Sequence, residues 1–139
     1  MRQLFPIYTA SRPTAPAELP LFTDVAMDYD RGIPLFSAGE PVTATGLEAV
    51  KSWAWRAIKT ERYRWSCFTW DYGCELESLA GQPYREDTRL SEAVRYVEEA
   101  LTVCPYITAA SASVEGFSGS TLRINVQIKT VYGEVGIHV

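Results

Sequence analysis

The stretch LRINVQIK, residues 122–129, decides the fold class of this chain. Apolar and polar side chains alternate along it, which is the pattern of a β-strand that has one face in the core and the other in solvent. Its apolar members are Leu122, Ile124, Val126 and Ile128. We therefore expect a half-buried strand here, and a hydrophobic core on one side of its sheet.

Two further strands are predicted beside this segment. One covers about residues 107–114 and joins it through the glycine-containing loop GFSG, residues 116–119. The other is the run VGIHV, residues 135–139, which alternates again after the turn residues 132–134. The sequence therefore predicts a small antiparallel sheet.

The last predicted strand leads to a hypothesis about a partner. No later segment of the sequence remains to cover its outer edge, and an open edge accepts strands from other chains. We expect partner-binding positions on both alternating strands: Leu122, Ile124, Val126, Ile128, Val135, Ile137 and Val139. The alternative is that residues 135–139 only complete the sheet of the chain itself.

Helical periodicity defines a first helix upstream. Thr45-Gly46-Leu47-Glu48 matches a capping box, with Thr45 as the N-cap, and the helix is predicted to run to about Thr60. Its apolar positions recur at steps of three and four residues: Leu47, Val50, Ala54, Ala57 and Ile58. One face of this helix should therefore pack on the core.

A second helix is predicted from about Asp87 to Leu101. Asp87 or Thr88 would cap its start, and Pro105 lies after its end. Between the two helices, residues 75–80 suit a short helix closed by Gly81. The predicted fold class is α+β, with two main helices packed on a small antiparallel sheet.

The beginning of the chain is rich in proline. Four of the eight prolines fall within the first twenty residues, and proline favours extended backbone over helix or ladder pairing. We interpret residues 1–20 as an extended arm, a tail without fixed structure being equally compatible, and residues 21–139 as a single domain. A short hairpin is expected over residues 22–36, with its turn at 29–32.

Composition disfavours several classes of function. The chain has 139 residues and a net charge of −4, and this negative charge argues against a general affinity for nucleic acid. No apolar run is long enough to predict a membrane span. The single histidine is His138, and the three cysteines form no CxxC pair, so neither a histidine-based hydrolase nor a metal site is predicted. We expect no cofactor, no catalytic residue and a reducing compartment.

The densest unusual stretch is residues 53–73, which holds all four tryptophans among arginines and tyrosines. Such a mixture is typical of a protein interface, although core packing or stacking on bases or sugars would use the same residue types. The predicted partner-binding residues are Glu61, Arg62, Tyr63, Arg64, Trp65, Asp71 and Tyr72. We expect both arginines to be exposed, so that replacing both with alanine leaves the fold intact.

The carboxylates in this stretch allow a catalytic alternative. Glu61 and Asp71 could form the acid pair of a cell-wall glycosidase, which needs two carboxyl groups across a cleft. Salt bridges to neighbouring arginines are the more common use of such residues.

Several segments together resemble the baseplate-wedge, or sheath-initiator, protein of contractile phage tails. The branch with the greatest similarity occurs in Gram-positive myophages, defective prophages and contractile bacteriocins. The resemblance covers about residues 22–134 and depends on residues 46–53, 59–64, 70–77, 104–107 and 130–134.

The resemblance implies a structural protein without catalysis, in sixfold-symmetric copies where the sheath meets the baseplate. It implies contacts with wedge proteins, the tail sheath protein and the tail tube or hub, in a virion or tail-like particle assembled in the bacterial host cytoplasm. The wider family has a Glu-Pro-Arg motif ahead of its strands, whereas this chain has Cys104-Pro105-Tyr106. Pro105 and Tyr106 are therefore expected to make an aromatic wedge contact in place of a charged one.

Overall fold

The computed structural model describes residues 19–79, 85–118 and 121–139. The predicted arm, except for Leu19 and Pro20, and the predicted helix-closing Gly81 lie outside these residues. In chain order, the elements are β1 (Thr23–Val25), β2 (Met27–Asp28), β3 (Ile33–Pro34), β4 (Phe36–Ser37), β5 (Glu40–Pro41), β6 (Thr43–Thr45), α1 (Leu47–Lys59), a 3₁₀ helix (Leu76–Leu79), α2 (Glu86–Thr102), β7 (Ile107–Ser118), β8 (Thr121–Thr130) and β9 (Gly133–His138).

The alternating segment is the central strand of an antiparallel sheet with the order β7-β8-β9. Ile124, Val126 and Ile128 are buried, while the polar residues between them lie on the opposite face. The predicted strand and its orientation are thus confirmed. β8 is hydrogen-bonded on both sides, so β7 and β9 are the edges of this sheet in the described chain.

β7 is longer than the sequence pattern predicts. Residues 116–118 were expected in a loop, but they pair with residues 121–123. The register shifts between Val114 and Gly116, and Gly116 has a φ of 138°. This bulge absorbs one extra residue at a position where only glycine is unstrained, so pairing resumes beyond it.

Both helices form where the periodicity predicts them, but their starts differ. Thr45 belongs to β6 and pairs with Thr23, so the predicted capping box is wrong. Gly46, at a φ of 64°, is the N-cap and turns the chain from strand to helix. α2 begins at Glu86, one residue before the predicted range, so Asp87 and Thr88 lie inside the helix rather than capping it. Asp87 instead places its negative charge in the first turn, where it interacts favourably with the positive end of the helix dipole.

The core lies between the two helices and the inner face of the β7-β8-β9 sheet. Its largest fully buried side chains include Leu101, Val97, Val50, Val126 and Ile128. This arrangement confirms the predicted α+β class with two main helices on a small antiparallel sheet.

Short strands before α1 cover its other side. The predicted turn at residues 29–32 joins β2 to β3, whereas β1 pairs with β6 and β4 pairs with β5. Arg56 of α1 forms an ion pair with Asp24 of β1, and the buried Ser52 hydroxyl donates to the Val25 carbonyl at 2.6 Å. α1 is thereby held between these strands and the core.

Candidate functional site

Residues 61–74 form a compact loop between α1 and the 3₁₀ helix. We call this segment the aromatic loop. Its two ends are joined by backbone hydrogen bonds, from Arg62 N–H to Cys74 O at 3.1 Å and from Cys74 N–H to Thr60 O at 2.8 Å. Gly73 sits at this junction with a φ of 105°, and a Cβ there would lie 3.0 Å from the Arg62 backbone and from Thr60 O. The loop therefore closes on itself only because residue 73 lacks a side chain.

Gly73→Ala is expected to lower the free energy of unfolding by about 1–3 kcal/mol, through the strained φ and the backbone clash together. Urea denaturation of the isolated chain measures this change. Gly39→Ala is the matched control, because Gly39 also has a positive φ but has open space around its Cβ position. Equal effects of the two substitutions would contradict the close contact at Gly73.

Arg62 anchors the aromatic loop from inside. Its side chain is only 15% exposed, and its Nε donates to the Trp70 carbonyl at 2.6 Å. Its guanidinium lies near three carboxylates: Glu99 of α2 at 3.2 Å, Glu75 at 3.6 Å and Asp71 at 3.9 Å. The expectation that Arg62 is exposed is therefore wrong, because its charge is used within the chain.

Four aromatic side chains of the loop point outward. Tyr63 is 58% exposed, Trp65 54%, Phe68 43% and Trp70 79%. Tyr72, in contrast, is half-buried, with ring-centre distances of 4.6 Å to Phe68 and 5.9 Å to Trp53. Trp70 was not among the predicted partner-binding residues, although it is the most exposed of these rings, since composition alone does not show which tryptophans face the core.

The predicted carboxylate pair faces arginines. Glu61 accepts from Arg64 at 2.8 Å, and Asp71 lies 3.9 Å from Arg62. Arg64 also lies over the Trp65 ring, with 5.2 Å between the guanidinium carbon and the ring centre. These contacts are those of surface and loop salt bridges, as the sequence interpretation preferred.

Tyr106 is used inside the chain as well. It is buried, its hydroxyl donates to the Pro20 carbonyl at 2.7 Å, and its ring packs on Phe22 and Tyr132 with centres 4.7 and 6.1 Å away. It therefore fixes the start of the described chain to the sheet, while Pro105 beside it is exposed. The wedge contact expected of these two residues stays a prediction.

The predicted strand residues divide between core and edge. Ile124, Val126, Ile128 and Ile137 are buried, and Leu122, Val135 and Val139 are half-buried against the core. The four buried side chains are therefore used in the core, and contact of these strands with a partner stays a prediction.

The backbone of β9 offers such an edge. Ile124 and Val139 exchange both backbone hydrogen bonds, at 2.8 and 2.9 Å. Antiparallel pairing alternates, so Ile137 and Val135 are bonded to β8 in the same way, whereas the N–H groups of Gly136 and His138 point outward. Within the described residues, these two N–H groups have no hydrogen-bond partner.

The two buried cysteines show no sign of reactivity. Burial raises the pKa of the Cys74 thiol to about 11, and it also raises the pKa of Cys104. Both thiols are therefore protonated at neutral pH and serve as small packing groups.

The described residues offer neither a metal site nor a helical membrane span. They contain no group of three histidine, cysteine, aspartate or glutamate side chains that could hold a metal ion. Neither helix of this part of the chain is long and apolar enough to cross a membrane.

Comparison with known proteins gives two matches. The family model for contractile injection system sheath initiators matches residues 23–133. The XkdS protein of the phage-like element PBSX of Bacillus subtilis (strain 168) is 29% identical over 94 residues, which cover 67% of each chain. The matched region contains both helices, the aromatic loop, β7 and β8.

Proposed function

This chain belongs to the sheath-initiator family of contractile injection systems, and from that premise we propose that it links the baseplate wedge to the first sheath ring and templates sheath assembly. Its family is one of structural tail components and not a class of enzymes. The glycosidase alternative has no support from the arginine-paired carboxylates Glu61 and Asp71.

The observation that carries the proposal is the outward-facing backbone of β9. Strand addition satisfies the N–H and C=O groups of an edge and depends little on the side chains of the incoming strand. Each later ring of a sheath is built from the same sheath protein, so a first ring held by backbone pairing can be copied without a second recognition surface. We assign Gly136 and His138 as the backbone donors to a strand of the sheath protein.

Complementation tests this role. Host cells that express the tail genes without this chain should produce tubes that lack sheath, and expression of the full chain in the same cells should restore it. Fully sheathed, contractile particles in the absence of the chain would contradict the proposal.

We assign the exposed rings of the aromatic loop to a second contact, with the wedge or tube. Trp, Tyr and Arg are the residues that most often dominate binding energy in protein interfaces. The loop carries all three residue types, and backbone hydrogen bonds close it at its base. The rings would therefore bind a partner with little loss of backbone entropy.

Trp70→Ser is expected to weaken incorporation of the chain into particles by at least about 2 kcal/mol, or roughly thirtyfold in affinity, as for a central interface tryptophan. The isolated chain should remain folded, because the Trp70 side chain is exposed and its carbonyl, which binds Arg62, is retained. Quantitative immunoblotting of purified particles measures incorporation. Phe36→Ser is the matched control, an exposed aromatic residue outside the loop, and equal losses for both variants would contradict the assignment.

A further inference from the structure

The two edges of the β7-β8-β9 sheet are not equivalent. The backbone N–H and C=O groups of Ile124, Val126 and Ile128 in β8 point toward β9. Those of Asn125 and Gln127 therefore face β7. On β7, the partners of these residues are Ser113 and Ser111. The remaining positions, Ala110, Ala112 and Val114, therefore direct their N–H groups away from the sheet.

A side chain of the neighbouring helix occupies the middle of this edge. The Ala112 N–H donates to the Glu98 Oε1 of α2 at 3.2 Å, and Glu98 is half-buried. A carboxylate is a strong acceptor for a backbone N–H, and it also places a negative charge where an incoming strand would have to pass.

We propose that Glu98 determines which edge of the sheet accepts a strand: it closes the β7 edge, in particular to the β7 strand of a second copy of this chain. The role of β9 as the edge that receives a sheath strand rests on the function proposed above, whereas the closure of β7 does not. Copies of a sheath initiator brought close together in a ring would otherwise present identical β7 edges to one another in addition to β9, and identical unpaired edges are a common route to unwanted association.

Amide exchange and sedimentation velocity on the isolated full chain test this closure. In Glu98→Ala, exchange at the Ala112 amide should accelerate about tenfold, the size expected for loss of a hydrogen bond to a charged group, while Ser111 and Ser113 stay unchanged. At higher protein concentration this variant should dimerise, and the amides of Ala110, Ala112 and Val114 should become protected in the dimer.

Glu98→Gln is the matched control, because it retains an oxygen acceptor at the same position. It should stay monomeric, without β7 protection, and exchange at the Ala112 amide should lie between the rates of the unsubstituted chain and of Glu98→Ala, because the neutral amide oxygen is the weaker acceptor. A folded Glu98→Ala that stays monomeric, or one that dimerises with protection on β9 instead, would overturn the proposal. Loss of folding in Glu98→Ala would overturn it too, because capping one edge amide cannot account for that. Since sheath protein takes no part, these results are independent of the proposed role in sheath assembly.

Discussion

Gly136→Pro is expected to leave the isolated chain folded and to leave tail tubes bare of sheath. The Gly136 N–H faces away from β8, so proline removes no bond of the chain's own sheet. At the outer edge, however, it removes one donor and places its ring in the path of an added strand. We expect sheathed particles to fall by at least about tenfold, since the lost hydrogen bond alone is equivalent to about 1 kcal/mol and steric exclusion adds to it.

Gly136→Ala separates the edge effect from the added bulk. A Cβ at residue 136 would meet the side-chain amide of Gln127 at 3.0 Å, which is the movable end of a flexible side chain. Alanine keeps the N–H and should therefore support normal sheath, as judged by electron microscopy, with circular dichroism as the test of folding. Normal sheath on Gly136→Pro particles would show that β9 is not the receptor. Deletion of residues 135–139 is a poorer test, because it would also remove the buried Ile137 from the core.

Arg62→Ala is the second change with a large expected effect, here on stability. It would remove the anchor of the aromatic loop and the cation that Glu99, Glu75 and Asp71 share, so that Glu99 keeps only its pairing with Arg95. Loss of one partner of a fully buried ion pair typically costs about 3–5 kcal/mol, and we expect about 2–4 kcal/mol here because the carboxylates are partly in water. Urea denaturation with a constant m-value measures the difference.

Arg64→Ala provides the control within the same loop. Arg64 is 62% exposed and pairs with the neighbouring Glu61, so its loss should change stability by less than about 1 kcal/mol. If the two substitutions destabilised the chain equally, Arg62 would not be the anchor of the loop.

The sequence was most informative where apolar residues recur at regular intervals, because that spacing shows which face of an element is buried. The alternation in residues 122–129 and the three- and four-residue steps in α1 and α2 reflect which face of each element meets the core, so β8 and both helices could be predicted. Element starts were harder. Thr45 satisfies the residue pattern of a capping box, but its pairing with Thr23 competes, and Gly46 supplies the turn into α1.

The candidate site depended on contacts between distant residues, which a single sequence does not show. Arg62 and Arg64 are the same residue type, two positions apart in one loop. Of these two, only Arg62 reaches Glu99 of α2. The sequence likewise does not show that Tyr106 packs against Phe22 and donates to the Pro20 carbonyl. The capping of Ala112 by Glu98 likewise joins residues of different elements, and no spacing rule predicts it.

Imaging of the sheathed particle at the junction of baseplate and sheath shows directly whether β9 receives a strand of the sheath protein. We predict an extended segment of the sheath protein paired with β9, accepting hydrogen bonds from the Gly136 and His138 N–H groups. A first sheath ring that contacts this chain elsewhere, with the β9 edge in solvent or covered by other residues of the same chain, would contradict it.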